Sequence, residues 1–297
     1  MSDATRPILV TGGAGQLASA LAAGAGILRV GRPAFDFDKP ETIEATFQAA
    51  NPRLVVNAAA YTAVDAAEKD IEAAYRANRD GPAILARLCA AADIPLIHVS
   101  TDYVFDGTKP TPYVETDPVG PQGVYGASKL AGEQAVMASG AKAIILRTAW
   151  VYAATGKNFV RTMLTVGKTR DRLTVVGDQH GCPTTADDLA DAIRSIIIRL
   201  DQGGWNPAYQ GIFHAAGSGE TTWHGLAVAT FEEAARHGAK VPEVAPIATA
   251  DWPTPVKRPA NSRLDCSRLQ QVFEVRMPHW RESLTRTVDT IFATAPP

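Results

Sequence analysis

The feature that most limits the fold is an alternation beginning at Pro7. Short apolar runs, "ILVTG", "ILRVG", "LVVNAAA" and "PLIHVS", are separated by longer alanine-rich stretches, "LASALAAGAG", "ETIEATFQAA" and "YRANRDGPAILARLCAAA". Apolar runs of about four to eight residues are the length of strands, and the stretches between them suit crossover helices. Repeated strand–helix units with right-handed crossovers give an α/β fold, a Rossmann-like doubly wound parallel sheet. The pattern continues through "AKAIILRTAWVY", a helix beginning near Tyr125, "LTVVGDQHGCPT" and "ADDLADAIRSIIIRL", where Asp187 or Asp188 is placed to cap the helix. After about Asp201 the regularity fades into Gly, Pro and Trp, with a helix at "HGLAVATFEEAARHG" and turns at "DWPTPVKRP".

At the first strand-to-helix junction stands "TGGAGQLA", residues 11–18. It matches G-x-G-x-x-A as Gly13, Gly15 and Ala18, and G-x-x-G-x-x-A as Gly12, Gly15 and Ala18. Glycine permits a tight turn and close backbone approach, while a helix N-terminus offers N–H groups and a positive dipole to a pyrophosphate. A dinucleotide is the implied ligand. ATP is disfavoured, because no Gly-Lys-Ser/Thr closes the turn. The second strand ends in Gly31 and Arg32, and a guanidinium there suits a ribose 2′-phosphate, so NADPH is preferred; Asp36 lies close enough to leave NADH open. The expected division is a dinucleotide-binding domain over 1–150 plus roughly 172–200, and a smaller C-terminal substrate-binding lobe over roughly 151–171 and 201–297.

Formal net charge is −2 over 297 residues, with both signs spread throughout, so neither nucleic acid nor an anionic membrane is favoured as a partner. Three cysteines, Cys89, Cys182 and Cys266, suggest neither a disulfide framework nor a zinc knuckle. The six histidines form no short ligand cluster, so no metal site is expected. With no apolar leader in "MSDATRPILV", a cytoplasmic location is expected.

"YGASK" places Tyr125 and Lys129 at i and i+4, side by side on one helical face. Taken alone the pair is a common surface pattern. Two further segments, "NAAAYTAVDAAE" and "HVSTDYVFDG", follow strands at their C-terminal ends, where open α/β sheets bind ligands. With "TGGAGQLA" and "YGASKLAGE" they resemble the extended short-chain dehydrogenase/reductase superfamily. Within it the chain is similar, nearly end to end, to the dTDP-4-dehydrorhamnose reductase family, through "GQL", "VYGASKLAGE", "RTAWVY", "DQHGCPT", "TTWH" and "RPANSRL".

The resemblance implies reduction of the C4 keto group of dTDP-4-dehydro-6-deoxy-L-mannose. Tyr125 would be the general acid, Lys129 would bind the nicotinamide ribose, and Thr101 would hydrogen-bond the reacting oxygen. A free phenol titrates near 10, and an adjacent ammonium is expected to lower Tyr125 toward neutrality. The resemblance further assigns Gly15, Gln16 and Leu17 to the pyrophosphate, Asp36 and Phe37 to the adenine side, and Ala60, Tyr61 and Thr62 to the dinucleotide. For the dTDP-sugar it points to Val64, Asp102, Tyr103 and Trp150, with Arg258 and Asn261 from the small lobe. A homodimer is left open: some family members dimerise through Mg2+ held by glutamates, and "LASALAAGAG" offers no carboxylate. Two other readings stay open, a related nucleotide-sugar reductase, epimerase or dehydratase, and a non-catalytic subunit like the regulatory subunit of methionine adenosyltransferase.

Overall fold

The computed structural model describes residues 6–24 and 26–294; residues 1–5, on which the leader reading partly rests, lie outside them. The first half runs β1 (Ile8–Thr11), α1 (Gln16–Leu21), β2 (Ile27–Arg29), α2 (Pro40–Ala50), β3 (Leu54–Asn57), α3 (Val64–Ala67), α4 (Ile71–Tyr75), a π-helical turn at Arg76–Asp80, α5 (Gly81–Ala91), β4 (Pro95–Thr101), a 3-10 turn at Asp102–Val104, α6 (Val124–Ala138) and β5 (Lys142–Thr148). The second half adds β6 (Val151–Tyr152), α7 (Phe159–Gly167), β7 (Arg172–Val176), β8 (His180–Gly181), β9 (Thr184–Thr185), α8 (Ala186–Gly203), β10 (Gly211–His214), β11 (Thr221–Thr222), α9 (Trp223–Ala235), β12 (Glu243–Ile247), β13 (Asn261–Ser262), α10 (Ser267–Phe273) and α11 (Trp280–Thr294).

The main sheet has six strands in the order β10-β5-β4-β3-β1-β2, every pair parallel. Its strands read as continuous apolar runs because both faces are covered. Alternation along β1 sends Ile8 and Val10 into one layer, with α1, α8 and α10, and Leu9 into the other, with Phe47 of α2 and Leu85 of α5. The chain leaves β1 for β2 on one side and returns to β3 on the other, so the strand order reverses at the end of β1, where doubly wound sheets bind ligands.

Two elements depart from the expected division. The 172–176 segment, β7, pairs with β12 outside the main sheet, and β10 from the 201–297 segment joins the main sheet beside β5. Apolar content alone could not choose a sheet for either strand. A separate core packs α7, α9 and α11 around Tyr152, Val160, Leu226, Leu284 and Val288. The cap of α8 is Thr185, whose side chain accepts from Asp188 N–H. Asp188 instead sits in the first turn, where its carboxylate takes Ser283 and Arg286 and ties the helix to α11. No helix among the described residues is long and apolar enough to cross a membrane.

Candidate active site

The C-terminal ends of β1, β3, β4 and β5 open into a cleft of about 1050 Å3. At its β1 end Gly12 adopts φ +106°, and a Cβ there would stand 3.0 Å from the Ala58 carbonyl oxygen. Only glycine fits such a turn at low cost. Gly15 is the N-cap of α1, and Gly12, Gly13, Gly15, Gln16 and Leu17 all line the cleft. α1 ends after six residues rather than running through the alanine-rich stretch, with Gly24 N–H bonded back to Leu21.

Beyond β2, Arg32 and Phe37 line the same cleft. Arg32 is exposed and donates from Nε to Asp36 at 2.8 Å and from Nη2 to Asp38, so two carboxylates balance its charge. Asp36 faces Arg32 rather than the cleft: its carboxyl is held below the usual range, its burial outweighed by hydrogen bonds from Asp38 N–H and Arg32 and by that positive charge. Ala60, Tyr61 and Thr62 form the wall after β3. The Tyr61 backbone is fixed by the fully buried Asn78, which accepts from Tyr61 N–H at 2.8 Å and donates to Tyr61 O at 3.1 Å and Ser128 Oγ at 3.0 Å. The π-helical turn that presents Asn78 carried no sequence signal; such turns interrupt helices at functional sites.

Thr101 ends β4 opposite Thr148 of β5, and α6, starting one residue before Tyr125, brings Tyr125 and Lys129 to the same cleft. The Thr101 side chain lies close enough to the Tyr125 hydroxyl to act on its proton affinity. Lys129 is buried and donates from Nζ to Val99 O at 2.6 Å. The expected lowering of Tyr125 by Lys129 is not what the site does: burial pushes the phenol up to about 12, Thr101 draws it down and Asp102 raises it further. Desolvation dominates at Tyr125, and burial pushes Lys129 itself down to about 8. Tyr125 is therefore a protonated phenol across the neutral range, the form an acid requires.

Asp102 is buried, and burial pushes its carboxyl up to about 6. Its Oδ1 accepts from Thr101 Oγ1 at 3.1 Å, while Oδ2, equally buried, has no partner. A buried acceptor left unpaired beside a cleft is where a ligand hydroxyl belongs. Val64, Tyr103 and Trp150 complete that end. Trp150, at φ +49°, stacks on Trp223 with ring centroids 3.6 Å apart, and Gly181 leaves room beneath it. Sequence reasoning missed Trp223; its only signal was membership of "TTWH". Arg258 and Asn261 do not line this cleft. Arg258 donates to Asp65, and Asn261 donates to the Lys109 and Thr111 carbonyls, bracing a neighbouring cavity of about 280 Å3.

The residues present fit a dinucleotide and a sugar: glycine backbone open at one end, an unpaired carboxylate oxygen and two indoles at the other, the Thr–Tyr–Lys group between. Among the described residues no group of three or more His, Cys, Asp or Glu is placed to hold a metal ion.

A family model described as the RmlD substrate binding domain matches residues 6–292. The dTDP-4-dehydrorhamnose reductase of Sinorhizobium fredii is 46% identical over 285 residues, 95% of this chain and 96% of that protein. Among solved structures, the dTDP-4-dehydrorhamnose reductase of Clostridium acetobutylicum superposes with a TM-score of 0.87 at 36% identity, covering 96% of this chain and 99% of that one. The Bacillus anthracis enzyme, solved in complex with NADP, gives the same TM-score at 32% identity and the same coverage.

Proposed function

Because this chain belongs to the dTDP-4-dehydrorhamnose reductase family, we propose that Thr101, Tyr125 and Lys129 carry the reaction of that family in the cleft described above. The reaction is the NAD(P)H-dependent reduction of the C4 keto group of dTDP-4-dehydro-6-deoxy-L-mannose to dTDP-L-rhamnose. NADPH is the reductant, and when bound it supplies the hydride.

The observation that carries the assignment of roles is the convergence of Thr101, a protonated Tyr125 and Lys129 in one cleft beside the glycine turn. Tyr125 gives its proton to the oxygen that becomes the 4-hydroxyl, and Thr101 donates to the same oxygen as its charge grows. Lys129 holds positive charge beside the nicotinamide ribose and the phenol, favouring phenolate only at the moment of transfer. Gly12, Gly15 and Gln16 hold the pyrophosphate by backbone approach, and Arg32 takes a 2′-phosphate by exchanging one of its carboxylates. Asp102 Oδ2 accepts a sugar hydroxyl, while Trp150, with Tyr103 and Val64, offers an apolar face to the ring. Arg258 and Asn261 act by shaping the rim rather than through first contact.

The reading places the enzyme in the cytoplasm on its three free cysteines, Cys89, Cys182 and Cys266. A homodimer is part of the proposal, supported by exposed apolar Ile71 and Met137 on α4 and α6, and light scattering reads one chain mass or two. The function is tested by incubating purified protein with NADPH and dTDP-4-dehydro-6-deoxy-L-mannose and identifying the product. dTDP-L-rhamnose is expected; the C4 epimer, or unchanged substrate with cofactor bound, counts against the assignment.

A further inference from the structure

Beneath the cleft lies a buried polar cluster that the reduction does not touch. α6 carries Glu133 four residues beyond Lys129, on the same face of the helix. Both residues are only 2% exposed, as is Arg147. Glu133 accepts from Arg147 Nε at 2.9 Å, from Arg147 Nη2 at 2.7 Å and from Ser100 Oγ. Ser100 and Arg147 face each other in register across β4 and β5, each one residue before Thr101 and Thr148. Val99, whose carbonyl receives Lys129, precedes Ser100. One carboxylate thus ties the helix bearing Tyr125 and Lys129 to the strand end bearing Thr101.

We propose that Glu133 is a positioning residue for the reduction: through its fork with Arg147 and Ser100 it sets Lys129 against Thr101, and its charge keeps Lys129 an ammonium. The proposal rests on the reductase reading of the site.

The charges around Lys129 support it. Glu133 acts on it from α6 and His98 feels its charge from β4, Arg147 of β5 stands behind Glu133, and Asp102 acts on Tyr125 from the 3-10 turn. His98 is kept neutral by burial and by the Lys129 charge. Arg147 has a buried Nη1 without a partner, so its compensation comes through Glu133. Without the carboxylate the cluster would hold two buried cations. Arginine does not release its proton in proteins, whereas a buried lysine does, so Lys129 would become the amine. Burial already draws Lys129 down to about 8, and Glu133 opposes that fall.

The test follows the ε-carbon NMR signal of isotope-labelled Lys129 against pH in the cofactor-free protein, the signal being assigned by its loss in Lys129→Arg. The expected midpoint is about 8 in the parent. In Glu133→Gln it falls by about one unit, roughly a tenfold change in the ammonium-to-amine ratio, and Glu133→Asp, which keeps the charge, retains the parent midpoint. The alkaline limb of kcat/KM moves with it. Glu133→Gln leaves Arg147 without a counter-ion, so the double variant Glu133→Gln, Arg147→Met, which leaves no unpaired ion, is measured beside it. It falls by less than Glu133→Gln alone, because Arg147, the second buried cation, leaves together with the carboxylate it bonds. An unmoved midpoint in folded Glu133→Gln, or, where that variant does not fold, a double-variant midpoint that does not fall at all, overturns the proposal and leaves Glu133 a purely structural ion pair. A parent that oxidises no NADPH with the sugar strikes the reductase reading instead, and the midpoints, which need neither cofactor nor substrate, still report on Glu133.

Discussion

Tyr125 and Lys129 show how far single residues were legible. Their spacing on one helical face was visible in "YGASK", and α6 delivers both to the cleft. Their proton affinities were not, because burial is a property of the assembled site: it sends the phenol up to about 12 and the ammonium down to about 8. A pH prediction follows. Over the working range Tyr125 stays protonated, so kcat/KM rises as Asp102 ionises around 6 and falls as Lys129 loses its proton around 8. A profile with a rising limb that persists beyond 10 would assign the alkaline limit to Tyr125 instead. Arg32 was named from its place after β2, but its two carboxylate partners were beyond a sequence pattern. Arg32→Ala is expected to lower kcat/KM for NADPH roughly tenfold while leaving NADH nearly unchanged, because only the 2′-phosphate needs the guanidinium. Equal losses with both cofactors would remove it from that role.

At the scale of elements, the parallel sheet and its covering helices followed from the length and order of apolar runs. Sheet membership of short strands did not: β7 and β10 exchanged places relative to the expected division, since hydropathy says that a strand is buried and not against which partner. The packing of α6 on the π-helical turn was equally hidden. Gly132 lies so close to that turn that a Cβ would stand 1.9 Å from the Asn78 carbonyl oxygen. Gly132→Ala must push α6 away from the turn that fixes Asn78 and the Tyr61 backbone. The expected cost is about 1–3 kcal/mol of stability in chemical denaturation, with weaker NADPH binding. A variant of parent stability and affinity would show that this contact does not position the helix.

For the whole molecule, the cleft is closed by groups from both halves of the chain. Asn158, the N-cap of α7, donates to Gln16 Oε1 at the start of α1 at 2.9 Å, so α7 steadies the glycine-turn end of the cleft. Trp223 stacks on Trp150 at the other end. Neither pairing was readable, because each joins residues far apart in sequence. Asn158→Ala is expected to weaken NADPH binding severalfold and to cost about 1 kcal/mol through the lost cap; calorimetry reads the first and thermal unfolding the second. The central claim is that a neutral Tyr125 protonates the sugar oxygen. Its most direct test is Tyr125→Phe, which removes only the hydroxyl, with NADPH affinity and turnover of dTDP-4-dehydro-6-deoxy-L-mannose measured on one preparation. The predicted result is a fall in kcat of roughly a hundredfold or more at nearly unchanged NADPH affinity. Turnover within a few fold of the parent would contradict it and move the acid to another group in the cleft.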